Sequence, residues 1–136
     1  MTKKRGFSIL EVVIALTIVT FVSAATLTLI FTSINVERKN LAQRYAVQDG
    51  ASIISCYDFS YDSANTQEFE DDLYVLFKGV GENEELKNRI QDSALSDLEI
   101  TRTDYGYTLT VTADGDGLTI KATFKGETIY DVRYEK

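Results

Sequence analysis

From Val12 to Ile34 the chain runs 23 residues without a formal charge, and neither glycine nor proline interrupts them. At about 1.5 Å per residue a helix of that length covers roughly 34 Å, enough for the hydrocarbon core of a bilayer. In lipid, a helix is the one single-segment conformation that satisfies its own backbone polar groups. The remainder of the chain is acidic and largely polar, so the mean hydropathy of -0.11 averages two dissimilar parts.

Three readings compete for the apolar run. It is a secretory signal with a small-residue cleavage site at Val22-Ser23-Ala24 or Ser23-Ala24-Ala25, an uncleaved anchor, or a helix behind a short leader that ends at Gly6. Flanking charge does not orient it, because Lys3, Lys4 and Arg5 on one side are matched by Arg38, Lys39 and Arg44 on the other. Glu11 is the informative residue. A carboxylate within an apolar span costs about 2.5–3.5 kcal/mol on insertion scales, and a generic signal or anchor has no use for one.

The run Lys3-Lys4-Arg5-Gly6-Phe7-Ser8-Ile9-Leu10-Glu11-Val12 resembles the class III signal of type IV prepilins and type II secretion pseudopilins. The resemblance covers residues 1–34 and fixes together a basic leader, Gly, Phe, Glu at the fifth mature position and an apolar run. It implies a leader on the cytoplasmic side, cleavage between Gly6 and Phe7 by the prepilin peptidase, and N-methylation of Phe7. It further implies that Glu11 serves assembly by neutralising the terminal amine of a neighbouring subunit. The implied partners are other pilin subunits, the prepilin peptidase, an inner-membrane assembly platform and the membrane, with the filament at the cell surface; no cofactor is implied. Helices of this family often carry a proline, and this chain has none. Thr17, Thr20, Ser23, Thr26, Thr28 and Thr32 can soften the helix only slightly, by bonding back to preceding carbonyls.

Helical patterning continues beyond the apolar run. Ile34, Leu41, Tyr45, Cys56 and Phe59 form one stripe, and Val36, Val47 and Ile54 a second, roughly opposite. One is expected to support the chain's own sheet and the other to meet neighbours, unless a single core wraps the helix. Cys56, the lone cysteine, is expected to be a small core residue. Gly50 is the weak point of such a helix, at about 1 kcal/mol relative to Ala. Short helices are expected over Gln67–Lys78 and Asn83–Gln91 in an acidic stretch.

Four segments with period-two alternation then read as an antiparallel meander: Leu98–Ile100, Tyr107–Ala113, Leu118–Phe124 and Tyr130–Tyr134. Turn residues fall at Asp104–Gly106, Asp114–Gly117 and Gly126-Glu127. Asp114 and Asp116 invite a test as calcium ligands, but a hairpin turn needs the same residues. The fold class is therefore α+β, a long N-terminal α-helix packed on a four-stranded antiparallel sheet, which the resemblance implies is the pilin fold. The expected layout is a leader at 1–6, an apolar helical half at 7–34, an amphipathic half at 35–59 and a head at 60–136. The head divides into an acidic connecting region, 60–96, and a sheet, 97–135.

Formal charge is -7, and loss of the three leader cations takes it to -10. Such a surface repels phosphate backbones, so direct nucleic-acid binding is not expected. The chain has no histidine and carries no nucleophile elbow, phosphate-binding loop or metal-ligand cluster, and it does not read as an enzyme. The expected function is a structural subunit of a type IV pilus, with Glu11-Val12-Val13-Ile14-Ala15-Leu16 closer to minor pilins than to major ones. A pseudopilin of a secretion or competence DNA-uptake apparatus shares every feature above. The reading from another class is a secreted or anchored monomeric β-domain that binds a ligand or partner.

Overall fold

The computed structural model describes residues 6–62, 66–80, 85–114 and 116–135. Helix α1 spans Ile9–Asp62. The chain divides into two compact units, Met1–Glu37 and Arg38–Lys136.

The first unit, where described, is helical from Ile9 onward and exposed throughout. Its large apolar side chains point in every direction, which suits a helix surrounded by lipid or by other helices. Thr17, Thr20, Thr26, Thr28 and Thr32 each donate a hydroxyl hydrogen bond to the carbonyl four residues back, at 2.7–3.0 Å, so their polarity is spent within the helix.

The second unit holds the core. Residues 38–62 of α1, helix α2 (Thr66–Phe77) and helix α3 (Leu86–Ser93) accompany a sheet of β1 (Leu98–Arg102), β2 (Tyr107–Asp114), β3 (Gly117–Phe124) and β4 (Glu127–Glu135). The sheet is an antiparallel meander in the order β1-β2-β3-β4. The class is α+β, as the alternation predicts. One face buries Leu98, Ile100, Tyr107, Leu109, Val111, Leu118, Ile120, Ala122 and Phe124. The other carries threonines and charges, with Glu99, Thr110, Lys121 and Asp131 paired in one row across the four strands.

The buried face of α1 differs from both expected stripes. It is made of Ala42, Ala46, Gly50, Ile53 and Tyr57, which lie between them. Three small residues at four-residue spacing let the helix axis come close to the sheet. A Cβ on Gly50 would lie 2.6 Å from Cε1 of Tyr130, so the glycine is a point of close approach. Tyr45, Ile54 and Cys56 sit on the flanks, partly buried against the core.

Polar ties run along α1 and β4 in the same direction. Lys39 Nζ donates to Glu127 Oε1 at 2.6 Å, and Tyr134 Oη donates to Asp58 Oδ1 at 2.8 Å. Between them, Tyr130 meets Gly50. A bulge between β3 and β4 leaves Ile129 as an extra residue between Thr128 and Tyr130, and that residue is buried. The β3–β4 turn is Lys125-Gly126, with φ of 50° and 81°, one residue earlier than expected, because Glu127 already pairs with Phe124. Part of the second expected short helix, Asn83 and Glu84, lies outside the described residues; α3 begins at Leu86.

Candidate assembly and processing site

Gly6, Phe7 and Ser8 precede α1 as irregular, exposed backbone. The helix starts on a reciprocal cap. Ser8 Oγ accepts from Leu10 N at 3.2 Å, and Glu11 Oε2 accepts from Ser8 N at 3.0 Å. This is a capping box, Ser-x-x-Glu, in which each side chain satisfies a backbone donor near the other. The sequence pointed to Glu11 as a costly charge and, by resemblance, as an assembly residue, but not as a cap; its spacing from Ser8 is the signal of that local role. An acid in the first turn also faces the positive end of the helix dipole. Among the described residues no donor meets Oε1 of Glu11.

Gly6 is not required by the fold around it. A Cβ there would meet nothing within 4 Å among the described residues. Phe7 is exposed and so are Ile9 and Leu10. The leader cations Lys3, Lys4 and Arg5 lie outside the described residues. The structure thus gathers Gly6, Phe7 and Glu11 at one accessible helix start, ahead of an apolar window of mean hydropathy 2.3 that is 0% buried.

A second polar cluster holds α1 to the sheet. Asp49 on α1 accepts from Tyr107 Oη at 2.5 Å and from Arg102 Nη1 at 3.3 Å, while Arg102 also grips Asp104. The Arg102 and Asp49 side chains are only 12% and 14% exposed. Burial raises the pKa of Asp49, against the opposing pull of the Tyr107 hydrogen bond and the Arg102 charge. Burial, then the bond to Asp49, holds the Tyr107 phenol well above its ordinary range. Tyr45 stacks on Tyr105 beside this cluster, with ring centroids 3.8 Å apart. Every group here is bonded to another member, and the arrangement is a latch. Nothing in the sequence marked Asp49, because its partners lie more than 50 residues away.

At the β2–β3 turn, Asp114 Oδ1 accepts from Asp116 N at 3.3 Å and Oδ2 lies 3.5 Å from Arg133 Nη2. The first is an Asx-type turn contact, and the second spends the other oxygen on an arginine. Gly115 lies outside the described residues.

Residues 1–27 match the family model described as the prokaryotic N-terminal methylation motif. The chain carries a type IV prepilin signal. Such a signal is that of a pilin or pseudopilin-type precursor, which is cut by prepilin peptidase and assembles with other pilins as a structural subunit. The long apolar helix behind the signal fits a membrane anchor, and the α+β head has the class of the pilin fold. No curated protein and no solved structure matches the chain.

Proposed function

We propose that this chain is a structural subunit of a type IV pilus, of the minor kind that is present in few copies, released from its leader by cleavage between Gly6 and Phe7. The prepilin signal directly ahead of an exposed apolar helix carries the reading. The glycine at position 6 supports it, since neither packing nor a positive φ calls for one there. The finer placement as a minor pilin rests on the resemblance of residues 11–16 alone, and subunit counting in sheared filaments tests it.

Cleavage changes the electrostatics of the helix start. It creates a cationic amine on Phe7, next to a helix end that is already positive. The amine is methylated on the same reading. Glu11 keeps its bond to Ser8 through one oxygen and offers the other to the terminal amine of a neighbouring subunit. In a water-poor bundle an unpaired carboxylate protonates or pays for desolvation, so the pair rewards correct stagger.

Mass spectrometry of the mature N-terminus is the deciding experiment. A chain beginning at methylated Phe7 is expected; a start near Ala25 removes the helix and overturns the proposal. Glu11→Leu keeps the apolar span and is expected to abolish filament incorporation while leaving cleavage intact. Unchanged incorporation would sink the role given to Glu11.

A further inference from the structure

In an α-helix each amide donates to the carbonyl four residues back, so a helix that ran back through Ser8 would send the Leu10 amide to the carbonyl of Gly6. That carbonyl belongs to the Gly6-Phe7 peptide. Leu10 N donates instead to Ser8 Oγ, at 3.2 Å. The first backbone bond of the helix is Val12 N to Ser8 O, also at 3.2 Å. Among the described residues no group donates to the carbonyl of Gly6 or of Phe7.

Opposed tendencies meet at this point. The apolar run behind Ser8 favours helix, and in lipid an amide without an acceptor draws the helix back toward the leader. Gly6 resists helix only weakly. Ser8 stops it, because its hydroxyl takes an amide that would otherwise need a carbonyl. Glu11 closes the other half of the box on the Ser8 amide and does not compete for the Gly6 carbonyl. Phe7, Ile9 and Leu10 are exposed, so among the described residues no packing fixes where the helix begins.

We propose that Ser8 is a positioning residue for leader removal: its cap keeps the scissile carbonyl of Gly6 out of the helical ladder. The inference rests on cleavage between Gly6 and Phe7. In that hydrolysis water adds to the Gly6 carbonyl carbon and the C–N bond to Phe7 breaks, leaving a carboxyl group on Gly6 and an amino group on Phe7. The peptidase must reach that carbon and place a donor on its oxygen as charge develops there. A carbonyl already bonded to Leu10, in backbone coiled on itself, offers neither. Ser8 thus acts through the backbone, without touching the reacting atoms. Glu11→Leu leaves the bond from Leu10 to Ser8 in place, which agrees with the intact cleavage expected of that variant.

The test uses the full-length precursor in detergent micelles, made in a host without prepilin peptidase and then cut by the purified enzyme. Ser8→Ala removes the cap and favours helix, whereas Ser8→Asn keeps a cap and removes the hydroxyl. Ser8→Ala is expected to lower kcat/KM about fivefold, which converts to about 1 kcal/mol. The change is expected in KM, because only the uncoiled fraction docks. Ser8→Asn is expected to match the native chain. Gly6-Phe7 is the one Gly-Phe pair in the sequence, so carbonyl-labelled glycine with nitrogen-labelled phenylalanine gives a single NMR correlation, from the scissile peptide. Its carbonyl shift is expected to move downfield, toward helix, in Ser8→Ala alone. A Ser8→Ala chain cut as fast as the native one, or slowed with no change of shift, overturns the role of Ser8. A Ser8→Asn chain as slow as Ser8→Ala means that the peptidase reads the hydroxyl itself, and overturns it equally. Both results leave the filament reading standing as long as the native chain is cut at Phe7. A native precursor that is not cut between Gly6 and Phe7 overturns both.

Discussion

Replacing Gly50 by alanine sets helix propensity, worth about 1 kcal/mol in favour of alanine, against a Cβ placed 2.6 Å from the Tyr130 ring. The ring must move, and it is packed against the core. Gly50→Ala is therefore expected to lower stability in the native background and to raise it by about 1 kcal/mol when Tyr130 is also alanine. Urea unfolding of the four proteins in detergent measures that change of sign. Asp49 gives a prediction in pH. Its pKa is raised on folding, so the stability linked to its proton is complete below the ordinary carboxylate value and is lost as pH rises through the raised one. Tyr107→Phe removes the hydrogen bond that opposes the shift, at about 1.5–3 kcal/mol for a bond to a charged group. The variant is expected to lose stability more steeply between pH 4 and neutrality than the native chain, as read by thermal melts across that range. Of these residues, Gly50 was visible in the sequence as an oddity and Asp49 was not. A glycine inside a helical pattern is a local anomaly, whereas a carboxylate on an acidic chain becomes special only through partners far away in sequence.

At the level of elements, periodicity located all four strands, because a sheet with one wet face writes its pattern into every second residue. It misplaced the buried face of α1. The two apolar stripes are made of large side chains, while the surface that meets the sheet is built around the small residues Ala42, Ala46 and Gly50. The large residues at Leu41 and Phe59 stayed outside. The capping box at Ser8 and Glu11 is legible in the Ser-x-x-Glu spacing ahead of the apolar run. The end of α3 offers a test of backbone cost. Ala94 is exposed and holds φ 46° and ψ 35°, a left-handed cap that costs an L-residue about 1–2 kcal/mol. Glycine removes that cost but adds freedom to the unfolded chain, about 0.4–1 kcal/mol in the other direction. Ala94→Gly is expected to stabilise the protein by about 0.5–1 kcal/mol. A shift of the urea midpoint upward, with unchanged slope, is the readout; a downward shift would mean that the residue after the cap, Leu95, depends on the alanine for its own placement.

For the whole molecule, the separation between an apolar segment and a polar remainder was apparent from the charge pattern, and it has a structural counterpart in the two compact units. Among the described residues the core begins at Ala42 and draws its buried side chains from the second unit. The ties that hold α1 to the sheet, at Lys39, Asp49 and Asp58, also lie within that unit. A fragment of residues 38–136 therefore keeps its whole core, and loses only a helix whose apolar side chains face outward. It is expected to be soluble without detergent, to show the strand signal of the intact chain, and to unfold in one cooperative transition. Circular dichroism melts and a sedimentation measurement check this. The one part of the fragment exposed to new risk is the first turn of the shortened helix, where Arg38 and Lys39 would face the positive end of the helix dipole. That cost is about 0.3–1 kcal/mol for each cation, small beside the loss of a core side chain at about 2–5 kcal/mol. A broad, non-cooperative melt would show that the head depends on residues before Arg38 for more than anchorage.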